Sequence, residues 1–452
     1  MTEENRSNVI QLDQLSRLNR SAGRAVLLAD RPYWWDGIAT PYATAPLPNS
    51  IDVAVVGSGF TGLSAALTLA RRGRSVAILE ANRPGFGAST RNGGQIGSGN
   101  QKFRVRRLIE MVGETKAVAL LFEGVAMLNY IDDLISTEKL DCHFSRTGRF
   151  RGAVRPEHYE SMARDMDDLH RFTGVESFAV PRAEQHREIA SDAFHGGSVL
   201  PNDGGLHPGK YHAALAARVA ALGAILVAET PVRSIDKDGS SFKLVTPAGT
   251  LRAKEVVLAT NGYTTRALPH VGARIVPVQS AIIATAPISS ATVRSILPTG
   301  RMYGNTAKVF SYFRAAPDEH RLLWGGRVSH LHQAGSASAY AHLARDMLKV
   351  FPALAEVPVS HGWSGRIGYT FDEFPHLGKS PDGIHYAMGY CGTGVSRSTY
   401  FGHKIALKLL GDPEGRTAFD DIAFPSHPFN AMAPLTVPAF EAWYRLRDAL
   451  NF

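Results

Sequence analysis

Residues Val53–Gly62 read VAVVGSGFTG, a glycine-rich turn between an apolar run and a helix-forming run. The β-branched stretch Ile51–Val56 predicts a buried strand. It enters Gly57-Ser58-Gly59-Phe60-Thr61-Gly62, the G-x-G-x-x-G spacing. Leu63–Arg72 predicts a helix closed by Gly73, and Ser75–Leu79 a second strand with Glu80 and Ala81 at its end. This order is that of a dinucleotide-binding unit. Gly57 permits the tight turn, Gly59 lets backbone approach a pyrophosphate, and Gly62 lets the helix pack on the sheet. The helix N-terminus offers N–H donors and a positive dipole end to phosphate. Glu80 lies about 20 residues on, where a carboxylate binds a ribose hydroxyl.

Two further loops share this chemistry. Arg83–Gln95 holds four glycines in ten residues together with Ser89, Thr90, Arg91 and Asn92, groups that bind phosphate oxygens. Gly389-Tyr390-Cys391-Gly392-Thr393-Gly394-Val395 precedes a predicted closing helix, Ser396–Leu410. The buried strand Val256–Ala259 ends at Thr260-Asn261-Gly262-Tyr263, and ligands collect at such carboxyl ends. Elsewhere the pattern predicts one long helix over Leu108–Glu138 and strand-like segments with prolines over Arg274–Ile296. It predicts two antiparallel strands, Tyr303–Arg314 and Arg321–Arg327, turning at Ala316-Pro317-Asp318, and a Pro-rich, then helical, tail from Pro425. Before the first strand, an extended arm carries Trp34 and Trp35, expected to anchor it by burial.

Other chemistries find no support. The chain has no G-x-S-x-G elbow, no H-E-x-x-H and no C-x-x-C, and its histidines are scattered, so no metal is expected. Its two cysteines, Cys142 and Cys391, have no disulfide or metal spacing, which suits a reducing compartment. The net charge of +8 suggests anionic ligands, yet no Lys/Arg run is interleaved with aromatics, so nucleic acid is not expected. No run of about 20 apolar residues would span a bilayer, and the N-terminus lacks the apolar core of a secretory signal. A cytoplasmic protein is expected. The 452-residue length predicts two or three domains. The chemistry is assigned to a bound cofactor, positioned by the protein.

Five stretches together resemble the FAD-dependent D-amino-acid-oxidase/glycine-oxidase superfamily, nearest its branch of gamma-glutamylputrescine-oxidase-like bacterial amine oxidoreductases. They are VAVVGSGFTGLSAAL at Val53, GFGASTRNGGQ at Gly85, LATNGYT at Leu258, WSGRIGYTFDEFPHLG at Trp363 and GYCGTGVSRS at Gly389. The resemblance implies an α/β plus β fold: a Rossmann-type, glutathione-reductase-like FAD domain with an inserted antiparallel-sheet substrate domain. The FAD domain would comprise 51–100, 200–273 and 360–412. The substrate domain would comprise 101–199 and 274–359, between an arm at 1–50 and a tail at 413–452.

The resemblance also distributes roles. Gly57, Gly59, Phe60, Thr61, Gly62, Glu80 and Ala81 would hold the ADP half, with backbone of Val232 against the adenine. Ala88, Ser89, Asn92, Gly93, Gly94 and Gln95 would follow the pyrophosphate and flavin, joined by Asn261 and Gly262. Gly392, Thr393, Gly394, Val395 and Ser396 would cover the pyrimidine end. Sarcosine oxidases attach flavin through a cysteine whose counterpart here is Gly365, so noncovalent FAD is expected. They also use a lysine to activate oxygen, in a strand that here reads LLWGG. Where the amino-acid oxidases place a carboxylate-binding arginine this chain has Ile367, with Arg366 one residue earlier, turned toward flavin or phosphate.

The implied activity is oxidation of the C–N bond of a primary or secondary amine, of amine or gamma-glutamyl-amine type. Hydride would pass to flavin N5, the imine would then hydrolyse, and oxygen is the expected acceptor. The alternatives are a dehydrogenase passing electrons to a quinone or carrier, and a non-catalytic flavin-binding protein. Tyr263, Tyr312, Trp324, Trp363 and Tyr390 are the aromatic candidates for the substrate site, each with core packing as its other explanation. The amine's identity and the oligomeric state are not encoded in these motifs.

Overall fold

A computed structural model of the chain describes residues 28–38, 44–98, 102–265, 268–317, 320–327 and 337–426. The glycine-rich unit forms as its sequence dictates. Strand Ser50–Val56 runs into helix Phe60–Arg71, which returns to strand Val76–Leu79. Val53 pairs in parallel with Val76 on one side and with Glu255 of strand Gly249–Leu258 on the other. The resulting eight-stranded sheet runs in the order His376–Lys379, His385–Met388, Gly249–Leu258, Ser50–Val56, Val76–Leu79 and Ile225–Val227. A hairpin, Ser234–Asp238 with Ser241–Thr246, branches from Gly249–Leu258. The central strands are buried on both faces, which is why their sequences are continuous β-branched runs. Helix Phe60–Arg71 packs on the closing helix Gly394–Leu409 so closely that a methyl group at Gly402 would collide with Thr61 O. Ser64 Oγ donates to Thr399 O at 2.6 Å across the same contact.

A second eight-stranded sheet lies over the glycine-rich loops. Its order is Val359–Tyr369, Val276–Thr285, Leu322–Arg327, Ser311–Ala315, Met302–Asn305, Arg149–Gly152, Gly197–Leu200 and Phe178–Val180. Only the pair Met302–Asn305 and Arg149–Gly152 is parallel. One face carries Phe150, Ile283, Tyr303, Phe313 and Trp324 and is covered by Tyr340, Ala341, Leu343, Ala344 and Met347 of helix Ala337–Val350. The opposite, inner face carries Ile282, Tyr312, Leu323 and Trp363, against the arm residues Tyr33 and Trp34.

Several elements differ from their sequence expectations. The long helix divides at Gly113 (φ +81°) into Val105–Val112 and Glu114–Glu138. Arg274–Ile296 forms one ten-residue strand, Val276–Thr285, followed by helix Ser290–Ile296, whose start Ser289 caps by accepting from Thr292 N at 3.0 Å. Pro277 is tolerated because it pairs only with Gly368, beyond the end of the Leu322–Arg327 ladder. Tyr303–Arg314 is two strands, folded back so that Tyr303 faces Phe313. Strand Val359–Tyr369 belongs to the second sheet, so the chain crosses between sheets after residue 369, not at the sequence boundary of 360. Asp318 and the tail beyond residue 426 lie outside the described residues.

Candidate functional site

The first loop is locked from three sides. Gly57 adopts φ +104°, and a methyl group at Gly62 would collide with Gly57 O, so both positions require glycine. Glu80 Oε2 accepts from Ser58 N (3.0 Å) and Ser58 Oγ (2.7 Å), while Oε1 accepts from Asn82 N (3.0 Å). The carboxylate is thereby fixed at the strand's carboxyl end. Thr230 N donates to Glu80 O at 2.7 Å, which draws the segment leading to half-buried Val232 alongside. Ala81 is exposed beyond it. Ser89 Oγ accepts from Phe60 N at 2.9 Å, tying the second loop to the first. Beneath them His212 Nε2 donates to Ser58 O at 2.7 Å; burial pushes its pKa down to about 4, so the ring is neutral with its proton on Nε2. Spacing gave no sign of His212, since its role depends on contacts 154 residues apart.

The second loop is held by indoles. Three of the five tryptophans donate to three consecutive residues: Trp35 Nε1 to Thr90 Oγ1 (2.7 Å), Trp363 Nε1 to Arg91 O (2.9 Å) and Trp34 Nε1 to Asn92 O (2.8 Å). The Asn92 amide closes the turn, donating to Ala88 O (3.0 Å) and Ser89 O (2.9 Å) and accepting from Gly94 N (2.8 Å). Arg91 donates to Phe86 O (2.7 Å) and Ser364 O (2.9 Å), and lies over the rings of Trp35 and Phe86. Its guanidinium therefore braces the loop, and burial lowers its pKa. Arg314, which sequence reasoning did not single out, donates through Nη1 to Gly94 O (2.9 Å) and Leu206 O (3.0 Å). Gln95 Nε2 donates to Tyr303 O (3.0 Å) and Phe313 O (3.1 Å), binding the loop to the second sheet.

The closing loop completes the arrangement. Asn261, in the left-handed region at φ +41°, accepts through Oδ1 from Gly389 N at 2.9 Å, beside Gly262. Gly392 (φ +90°) and Thr393 are exposed, Gly394 and Val395 begin the helix, and Ser396 Oγ donates to Gly97 O at 3.3 Å. Neither Gly59 nor Thr393 caps its helix with a side-chain bond, so both helices open with first-turn N–H groups suited to an electron-rich ligand. Two such openings beside a fixed carboxylate suit a dinucleotide: pyrophosphate at one end and a ring that gains negative charge at the other.

The aromatic candidates do not converge. Tyr312 lies on the inner face beside Gly93, its ring against Gly325. Ser280 Oγ donates to Gly326 O (3.0 Å), so Tyr312 donates to Ser280 Oγ (3.2 Å) and keeps its phenol oxygen as an acceptor; burial pushes its pKa up to about 12. A narrow crevice here is lined by Gly93, Gln95, Ile282, Tyr312, Leu323 and Gly325. Trp363 shares this face, with its N–H committed to Arg91 O. Trp324 is on the other face, stacked on Phe313 at 4.4 Å. Tyr390 is buried below the closing loop, its hydroxyl 2.7 Å from Thr61 Oγ1. Tyr263 is half-buried, its ring 3.5 Å from where a Cβ on Gly87 would lie, with the exposed Arg366 guanidinium 5.8 Å over it. At Gly365 an added Cβ would lie 3.3 Å from Arg91 Cβ. Both cysteines are buried with raised pKa, Cys142 to about 12. Among the described residues no three His, Cys, Asp or Glu side chains group as a metal site, and no helix is long and apolar enough to cross a membrane.

Comparison with known proteins agrees with this architecture. The family model described as FAD dependent oxidoreductase matches residues 52–407. The probable oxidoreductase OrdL of Haemophilus influenzae is 31% identical over 403 residues, 88% of this chain and 92% of that protein. The gamma-glutamylputrescine oxidoreductase of Escherichia coli is 29% identical over 423 residues, 91% of this chain and 96% of that protein. The crystal structure of glycine oxidase from Geobacillus kaustophilus matches with a TM-score of 0.70 at 23% identity, over 84% of this chain and 99% of that one, a likeness of fold.

Proposed function

Because the chain belongs to the FAD dependent oxidoreductase family, we propose that it oxidises the C–N bond of a small primary or secondary amine held between the Gly93–Gln95 loop and the inner face of the second sheet. The carrying observation is Tyr312. It is a protonated phenol whose hydrogen is committed to Ser280, leaving an acceptor lone pair beside Gly93. Such an oxygen accepts from an amine N–H and orients the nitrogen lone pair without removing a proton. Hydride departure needs the amine neutral, so a strong base is not required. The relatives named for glycine and gamma-glutamylputrescine support the amine class.

In the same reading, the uncapped start of helix Phe60–Arg71, with Ser89 and Glu80, holds the ADP half of FAD. Gly392–Ser396 meets the pyrimidine end, where the helix dipole opposes negative charge. The chemistry FAD supplies when bound is acceptance of a hydride from the amine α-carbon at N5; water then hydrolyses the released imine to a carbonyl compound and ammonia or a smaller amine. Noncovalent binding is supported by Gly365 packing on Arg91 and by the buried, protonated thiols. Two free thiols suit the cytoplasm. A second reading, transfer of electrons to a quinone or carrier in place of oxygen, is favoured by Leu323, Gly325 and Arg327 on the inner face of a strand with no lysine.

The test is the visible spectrum before and after acid precipitation, then an anaerobic amine panel. Flavin released into the supernatant and bleached by an amine is the expected result. A colourless protein that cannot be reconstituted with FAD, or a flavin that no amine reduces, would overturn amine oxidation. Turnover with oxygen against an artificial acceptor separates the two electron-transfer readings.

A further inference from the structure

Residues 28–38 of the arm lie across three parts of the protein. Tyr33 and Trp34 are buried against Ile282, Ala284 and Leu323 of the second sheet. A methyl group at Gly209 would collide with Trp34 O, and the Trp34 ring centroid lies 4.8 Å from that of His207. The arm therefore also rests on the start of helix Pro208–Ala221. Trp34 and Trp35 supply two of the three indole bonds to Thr90–Asn92, and the Arg83 guanidinium lies 3.5 Å over the Trp35 ring.

On either side of these indoles the arm is tied down by bonds that go elsewhere. Before them, Ala29 N donates to Ser360 O (2.9 Å), Gly362 N donates to Ala29 O (3.1 Å) and Tyr340 Oη donates to Asp30 Oδ1 (2.9 Å). After them, Asp36 Oδ2 accepts from His361 Nε2 (3.0 Å), and Asp36 Oδ1 pairs with Arg31 (2.8 Å). Ser360, His361 and Gly362 belong to the edge strand Val359–Tyr369, and Tyr340 to the helix that covers the second sheet. The loop offers Thr90 Oγ1 and Asn92 O to the arm in the same conformation that the Asn92 side chain closes through Ala88, Ser89 and Gly94. A ligand that holds this conformation favours the docked arm, and the docked arm favours the conformation in return.

We infer that residues 28–38 are a cofactor-coupled strap: FAD bound along the Arg83–Gln95 loop locks the arm across the two sheets, and the docked arm in turn tightens the hold on FAD. This rests on the placement of FAD along that loop proposed above and is independent of the amine. Trp34 and Trp35 carry the coupling. Asp30 and Asp36 are positioning residues, whose bonds go to the second sheet, its covering helix and the arm itself. Linkage makes the effect reciprocal: the factor by which FAD favours the docked arm is the factor by which the docked arm raises FAD affinity.

The test is hydrogen exchange, read by mass spectrometry on peptides covering 28–38 and 85–95, in the FAD-loaded enzyme, after flavin removal and after reloading. Both peptides exchange roughly tenfold more slowly with FAD bound, and reloading restores the protection. The double variant Asp30→Ala/Asp36→Ala keeps all three indoles. Its arm exchanges rapidly even with FAD bound, and its Kd for FAD, read by flavin fluorescence, rises by roughly tenfold. Tyr340→Phe, which removes the bond to Asp30 with no change of charge, moves both readouts the same way by a smaller factor. Protection of 85–95 without protection of 28–38, or a released arm with wild-type FAD affinity, would overturn the strap and leave the loop placement standing. Wild-type exchange and affinity in the double variant would remove Asp30 and Asp36 from it. No response of either peptide to FAD would overturn the strap and the loop placement together.

Discussion

The Tyr390 hydroxyl lies 2.7 Å from Thr61 Oγ1, across 329 residues of sequence, and donates to Ala387 O at 3.1 Å. The pair joins the closing loop to the start of the first helix. Tyr390→Phe removes both bonds in a buried site. The expected cost is about 1–2 kcal/mol, seen as a lower Tm, with FAD affinity weakened by roughly tenfold. Thermal melts with and without added FAD check this; an unchanged affinity would separate the two loops functionally.

The indoles over Thr90–Asn92 give a graded series. Trp34→Phe, Trp35→Phe and Trp363→Phe each keep a ring and lose one N–H bond, at about 1 kcal/mol each. Trp34→Ala also empties a fully buried site and is expected to cost about 3–5 kcal/mol. The readout is fluorescence-detected FAD binding: the Phe variants bind more weakly with an intact fold. Trp363→Ala that retains its flavin and full turnover would remove Trp363 from the site.

Glycine substitutions should divide sharply. At Gly62 a methyl group collides with backbone, so Gly62→Ala is expected to yield protein that does not load FAD. At Gly73, with φ +74° and open space around it, Gly73→Ala costs about 1 kcal/mol of backbone strain and keeps the cofactor. Equal flavin content in the two variants would contradict the packing argument.

Acid should loosen the first loop through His212. Its pKa is lowered from 6.5 to about 4 by burial, so between these values the unfolded chain takes up a proton that the folded chain does not. Stability is fully present above pH 6.5 and declines as pH falls toward 4, by at most about 3 kcal/mol. His212→Gln keeps a donor for Ser58 O and cannot titrate. Its urea midpoint should fall less over this window than that of the wild type.

What could be read from the sequence was what local geometry fixes. Gly57, Gly62 and Glu80 work within one strand–helix–strand unit, so their spacing carries their roles. Trp324 was misleading because every residue from Leu322 to Gly326 is buried, and a strand covered on both faces has no alternation to reveal which way an aromatic points. Tyr390 and Trp363 sit within matched motifs, yet their partners Thr61 and Arg91 are far away in sequence. Gly113 ends a helix by its φ, a property that an apolar period alone does not register. Arg314 shows its role only through its bond to Gly94 O, 220 residues away in sequence.

The contact of Gly402 with Thr61 has a consequence for biosynthesis. The face of helix Phe60–Arg71 that Gly402 meets is made early, and its cover, helix Gly394–Leu409, emerges some 330 residues later. At 5–20 residues per second the ribosome needs roughly 20–60 s to supply it. During that interval the nascent first unit carries an uncovered apolar flank and half of a cofactor cradle. Flavin capture therefore belongs after helix Gly394–Leu409 has emerged, and a chaperone holding the first unit would raise the yield of loaded enzyme.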